Sequence, residues 1–424
     1  MPSYEKDVDK WFRPFRDHPV VRRARGLGDS AGIGFSDPME FAVHLTNAHD
    51  LGEIVPVDAP NQEPEWAWPP AGARAFLSDL RAFVRDAQTD RFLHSHERLY
   101  ATAADRLRQL VDSAGDPAWF GRFFGHAPVR PFILVPALLN GGANYGPRIR
   151  TPGDGQEFYA IVGVYLTDRD GLPRFDEREM PNVVHEFSHS FINPIIARHL
   201  DQFEGAGPQI FAAEEQQMKD QAYDTWPTVI DESLVRATVV RYRLSHEGRE
   251  AADAEIADEK ARGFLWIRDL SDLLGQYETA RGQYPDFETF LPRTAGYFAS
   301  LPARLPALAA QYDSARPRVV SMSPANGATG IDASLRRIRI WFDRPMADGM
   351  LVTPLQEDSG AGFPETTGKG TFDEGRTVFT LPVRLEPGRS YAVALDARFA
   401  NGFRSEDGVP LARVVLRFRT EAIR

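Results

Sequence analysis

HEFSHSF, residues 185–191, is the stretch around which the chain must be read. As a helix it puts His185 and His189 on one face, a turn apart, so that both imidazoles can aim a nitrogen at one point. Glu186 sits beside the first histidine, near enough to reach a water held at that point without binding there itself. This spacing suits a zinc ion that activates water: the metal lowers the pKa of the water and the carboxylate takes its proton. The bland alternative is a pair of helix histidines with satisfied hydrogen bonds.

The flanking residues favour the sharper reading. In NVVHEFSHSF the residues between and around the histidines are uncharged, and a large apolar residue follows the second, as a helix buried except for its metal face requires. Pro181 suits the first helical turn, and the acidic residues before it suit the positive end of the helix. Asn193-Pro194 predicts a break or kink, hence a helix of about three turns.

A catalytic zinc takes three protein ligands and keeps a fourth position for water. A third histidine six residues after His189 is excluded, because that position is Ile195. His199 is expected to cap a helix end. The downstream carboxylates are Glu204, Glu214, Glu215, Asp231 and Glu232. Glu232 is favoured: TVIDESLVRATVVRYRL (228–244) outlines a packed helical face through Ile230, Leu234, Ala237 and Val240, where a carboxylate is costly unless paired or bound to a cation. Glu214 and Glu215, in the polar FAAEEQQMKDQAY, read as a solvated face. Asp231 and Arg236 are placed to orient ligands, and surface salt bridging accounts for them equally. Tyr145 in GGANYG and Tyr242 are the candidates for stabilising an oxyanion, each against a plain packing role.

Upstream of the motif, PFILVPALLN (131–140) and QEFYAIVGVYL (156–166) read as strands, and TDRDGLP as a hairpin turn leading into the motif helix. Residues 70–113 carry two amphipathic helices broken near Gln88-Thr89-Asp90. Downstream, helical periodicity returns over 228–244 and 250–277, and prolines should break TFLPRTAGYFASLPARLPALAAQYDSA (289–315) into short pieces. Residues 1–315 thus predict an α+β unit with a small sheet. Beyond 315 the alternating runs RRIRIWFD, RTVFTLPV, SYAVALD and ARVVLRFRT predict an all-β sandwich over 316–424.

Composition bounds the rest. With 424 residues the chain exceeds what one core usually fills, and 42% hydrophobic with 26% charged residues describes an ordinary globular protein. A net charge of −11 argues against nucleic acid or anionic lipid as partner. No apolar run is long enough to span a membrane. The opening MPSYEKDVDKWFRPF lacks signal-peptide character, and a signal already removed is expected. With no cysteine, disulfides, thiol catalysis and thiolate-bound zinc are excluded, so a metal must use His, Asp and Glu.

Other motifs weigh less. GDSAG (28–32) matches the nucleophile elbow G-x-S-x-G, but RRARGL before it is too charged for a central strand, so a surface turn is expected. The histidines of HLTNAH (44–49) and HSH (94–96) have spacings that do not converge on one ion. TDRDGLPRFDE lacks the acidic spacing of a calcium loop.

VVSMSPANGATGIDASLRRIRIWFDRPM (319–346), with LEPGRSYAVALD (385–396), resembles the bacterial Ig-like domains of S-layer and other exported proteins over nearly all of 317–421. That resemblance implies a spacer or adhesive module outside the cytoplasm, in contact with a cell surface or polymer. HEFSHSFINP, with ESLVRATVVRY downstream and DHPVVRRARGL (17–27), resembles the gluzincin class of zinc metallopeptidases and a bacterial family of peptidase-like proteins of unknown function, over about 10–310. It implies a zincin-like domain with His185, His189 and Glu232 as Zn2+ ligands and Glu186 as general base. The expected protein is an exported zinc metallopeptidase acting on a peptide or protein substrate. The competing class is an exported binding or adhesion protein with a structural or degenerate zinc site, against which Glu186 speaks, since a structural site needs no base.

Overall fold

The computed structural model describes residues 1–34, 36–58, 66–125, 132–151, 155–355, 360–396 and 402–422. It is mixed helix and sheet with a C-terminal all-β region. The chain packs as two compact units, one of Met1–Ala212, Tyr223–Gly248 and Asp269–Ser300, the other of Ala213–Ala222, Arg249–Arg268 and Leu301–Arg424.

The first unit opens with helices α1 (Pro2–Phe12), α2 (Pro19–Ala31) and α3 (Asp37–Val43), followed by α4 (Pro70–Asp86), α5 (Thr89–Ser95) and α6 (Glu97–Ala114). Gln88, at φ 50°, ends α4 where the expected break falls, and a second break at His96 separates α5 from α6. GDSAG is not a surface turn: its first four residues close α2, and Gly32 caps it at φ 70°, a value that favours glycine.

After α7 (Pro117–Phe124) come β1 (Phe132–Ala137), β2 (Arg148–Thr151) and β3 (Gly155–Gly163), in sheet order β1-β3-β2. β1 runs parallel to β3 and β2 antiparallel to it, with Arg148 opposite Phe158. The short, arginine-bearing β2 carries too little alternation to have been foreseen. Strand periodicity sends Phe158, Ala160 and Val162 to one face of the sheet, and Tyr159 and Ile161 to the other. The second face packs against Val43 and Ile149.

The first face is covered by α8 (Met180–Arg198), which carries the motif; Phe158 stacks on Phe191 at 5.0 Å and Phe132 meets Phe187 at 4.2 Å. The turn before it forms as expected, with Asp168 Oδ1 accepting from the N–H groups of Asp170 and Leu172. Of the break or kink expected at Asn193-Pro194, the break does not occur: α8 runs through Pro194. A proline there costs one backbone bond to the Ser190 carbonyl, and the buried Phe191, Ile192, Ile195 and Ile196 carry the helix onward. His199 caps its end, as expected, and bonds Glu288 at 2.8 Å.

Helices α9 (Gly207–Ala213), α10 (Glu215–Lys219), α11 (Trp226–His246), α12 (Arg249–Ala261), α13 (Ile267–Thr279) and α14 (Phe287–Ala315) follow. α11 packs beside α8 and is buried on nearly every side from Val229 to Val240. The proline-bearing segment expected in short pieces is one helix of 29 residues. Buried Phe287, Phe290, Leu291, Phe298, Leu301 and Leu305 hold it continuous through its prolines.

In the second unit, β4 (Val319–Ser323), β5 (Ala328–Ile331), β6 (Arg337–Phe342), β7 (Leu351–Thr353), β8 (Glu365–Thr366), β9 (Thr371–Phe372), β10 (Val378–Arg384), β11 (Ser390–Asp396) and β12 (Val414–Thr420) form two sheets. Their orders are β4-β6-β10-β8, with β9 beside β10, and β5-β12-β11-β7. Inward-facing Ile338, Ile340, Phe379, Leu381, Val393 and Leu416 make the shared core. Within this unit α12 bonds the segment between β11 and β12 through Arg404 and Asp258 at 2.7 Å.

Candidate metal centre

Two helices build the site. On α8 the residues around the motif, Val183, Val184, Phe187 and Ser188, are buried, while His185 and His189 turn toward α11. Their Nε2 atoms lie 3.0 Å apart. From α11, Glu232 places its carboxylate oxygens 3.6 Å from His185 Nε2 and 3.5 Å from His189 Nε2. Among the described residues, these are the three His or carboxylate side chains whose ligand atoms gather within 4.8 Å of one another. In a tetrahedral site with bonds of about 2.0–2.1 Å, ligand atoms stand about 3.3–3.4 Å apart. The three separations bracket that value, so the donor set fits a metal ion.

Further side chains fix these three groups. Nδ1–H of His189 donates to Asn193 Oδ1 at 3.0 Å, which turns the Nε2 lone pair toward the other two groups. Arg236 is buried like Glu232 and donates from Nε to its Oε2 at 3.0 Å. The same guanidinium donates to the Tyr223 hydroxyl at 2.6 Å, so one cation joins the Glu232 carboxylate to a half-buried phenol. Asn193 is legible in principle, since 185, 189 and 193 continue one helical spacing; the proline after it masks that signal by predicting a break or kink. Tyr223 lies in the loop before α11 and carries no periodic signal.

Glu186 is buried, and its carboxyl is held well above the ordinary carboxylate range, chiefly by desolvation, then by the charge of Glu232, with Arg236 opposing. Tyr145 pairs its backbone with Ile161, and its ring joins the Tyr159–Ile161 face of the sheet, opposite α8. Burial first and the Glu186 charge second raise its phenol. Tyr242 is placed elsewhere: 2% exposed, it accepts from Asp116 N–H at 2.9 Å and packs on Trp119. A buried hydroxyl engaged with a loop amide does not face the ligands. Asp231, half-buried, precedes Glu232 and therefore points about 100° around the helix from it.

The remaining candidates do not join the cluster. Glu204 is exposed, Glu215 pairs with Lys219 at 2.6 Å, and Glu214 is raised to about 7 by burial and then by the charge of Asp313. His44 donates to the Glu40 carbonyl at 2.7 Å and His49 meets Asp90 at 2.6 Å. Ser30 of GDSAG donates to Gly26 O at 2.6 Å, on a helix rather than at a strand-to-helix turn.

Two family models match the chain, a domain of unknown function (DUF4932) over residues 3–295 and a bacterial Ig-like domain over residues 313–420. Neither description carries an activity, and the expected likeness of the C-terminal strands to bacterial Ig-like domains is borne out. No curated protein and no solved structure matches. With more than half of its length matched by the first model, the chain belongs to the family described as a domain of unknown function (DUF4932), and it carries a bacterial Ig-like domain at its C-terminal end.

Proposed function

We propose that the chain is a zinc-dependent hydrolase of peptide bonds, with a zincin-like domain over 1–315 and the Ig-like domain over 316–424. The observation that carries this reading is the convergence of His185 and His189 from α8 with Glu232 from α11, beside the buried Glu186. Two imidazoles and one carboxylate at tetrahedral spacing, with no cysteine in the chain, suit zinc and leave a coordination position for water. A bound zinc ion would supply Lewis acidity, lowering the pKa of water and polarising a carbonyl.

The chain's own residues do the rest. Burial raises the proton affinity of Glu186, so its carboxylate takes a proton from the attacking water and passes it to the leaving amine. Arg236 holds the Glu232 carboxylate in place by its hydrogen bond, and Asn193 keeps His189 in one tautomer. Tyr223, anchored on Arg236, is the phenol assigned here to the substrate oxygen, in place of Tyr242. The Ig-like domain suits an exported protein and would serve as spacer or as contact to a cell-surface polymer.

Elemental analysis of the purified chain should find about one zinc per molecule, lost in His185→Ala/His189→Ala. Glu186→Gln should keep the metal and lose hydrolysis by about 10²-fold or more. Absence of zinc even after reconstitution would sink the reading and leave an exported binding protein with a degenerate site.

A further inference from the structure

Large apolar side chains more than half exposed number three among the described residues, Leu139 (52%), Tyr165 (51%) and Val320 (66%). The first two lie on adjoining segments of one unit. β1 and β3 are parallel, so the Leu139 turn and Tyr165 leave the sheet at the same end. There the turn rests directly on the end of β3. A Cβ at Gly163 would fall 2.4 Å from Gly141 O and 2.6 Å from Ala143 O, and Asn144 Oδ1 accepts from Gly163 N–H at 2.8 Å. Tyr165 Cδ1 lies 4.0 Å from where a Cβ of Gly142 would sit.

Both segments lead to α8, the helix that carries His185 and His189. The turn continues through Tyr145 to Gly146, which lies against the Glu186 carbonyl, so Gly142 is at most about 14 Å from that point. The Tyr165 hydroxyl faces the carboxylate of Glu179, which is 2% exposed and accepts from Asn182 Nδ2 at 3.2 Å. Asn182, Glu186, His189 and Asn193 follow the helical spacing of one stripe on α8. Charged Asp176 and Arg178 rim Tyr165. Exposed apolar groups with a charged rim, at one end of a candidate active site, mark a place where an apolar group docks.

We infer that Leu139 and Tyr165 form a specificity subsite that takes an aliphatic or aromatic side chain of an extended peptide substrate, within about four residues of the bond cut. The inference rests on the peptidase reading above and adds the class of substrate to it.

The test uses the full-length zinc-reconstituted chain and fluorogenic peptides differing at one position, Phe or Leu against Asp, stepped over four positions on each side of the cleaved bond. At one position the apolar residue should be favoured by about 10-fold or more in kcat/KM. That preference should fall to within about 3-fold in Leu139→Asp and Tyr165→Ala, and survive in Tyr165→Phe, which keeps the ring. An unchanged preference in both variants overturns the subsite. Binding of the same peptides, labelled, to Glu186→Gln by fluorescence anisotropy separates the two readings. Apolar peptides that bind through Leu139, with no cleavage by the wild-type chain, would overturn the peptidase reading and keep the subsite; binding indifferent to Leu139→Asp and Tyr165→Ala would overturn the subsite alone.

Discussion

Gly146 lies so close to Glu186 that a Cβ on the glycine would fall 2.1 Å from the glutamate's carbonyl oxygen. The segment leading into β2 and helix α8 are therefore in backbone contact at Glu186, and Ser190 Oγ reaches Gly146 O at 3.5 Å one turn further along. A side chain at this position must push strand and helix apart. Gly146→Ala should cost about 1–3 kcal/mol of stability and reduce zinc occupancy. Thermal unfolding and zinc titration of the variant check this; unchanged values in both would mean that the contact yields freely.

Asn193 acts through His189. Asn193→Ala removes the acceptor for Nδ1–H, freeing the ring to rotate and change tautomer, and should weaken zinc about 10- to 100-fold with little change in fold. A chelator-competition titration reads the affinity, and an affinity equal to wild type would remove Asn193 from the site.

Arg236 and Glu232 are a buried pair, each side chain 8% exposed. Arg236→Met leaves the carboxylate buried without its guanidinium, which should destabilise the metal-free chain by about 3–5 kcal/mol. Zinc should restore part of that loss, because a cation again faces Glu232. Melting temperatures with and without zinc decide it: a loss that zinc leaves untouched would separate Arg236 from the ligand.

Glu214, in the second unit, is raised to about 7 from 4.5 by burial and then by the charge of Asp313. Below pH 4.5 folded and unfolded chains both hold the proton, so the group contributes nothing to pH dependence there. Between 4.5 and 7 the unfolded chain releases it first, so stability falls as pH rises and levels off above about 7. Glu214→Gln should therefore gain about 1–2 kcal/mol over wild type at pH 8 and little at pH 5, after allowance for partial exposure. Parallel stability curves for the two chains would refute it.

Much of this was readable from the chain alone. The one-turn spacing of His185 and His189 and the alternation of RRIRIWFD and SYAVALD are local consequences of backbone periods of 3.6 and 2 residues, so a window of ten residues carries them. The apolar face around Glu232 likewise marked that carboxylate as costly without a partner.

The tertiary structure decided what depends on neighbours distant in sequence. Pro194 and the prolines of α14 do not end their helices, because the packing of Phe191, Ile195, Phe298 and Leu301 outweighs the lost backbone bonds. The Tyr223 hydroxyl meets Arg236 and the Tyr242 hydroxyl meets the Asp116 amide, a distinction no local pattern predicts. A hydrogen-bond partner is chosen by the three-dimensional course of other segments, and no periodicity within one segment encodes it.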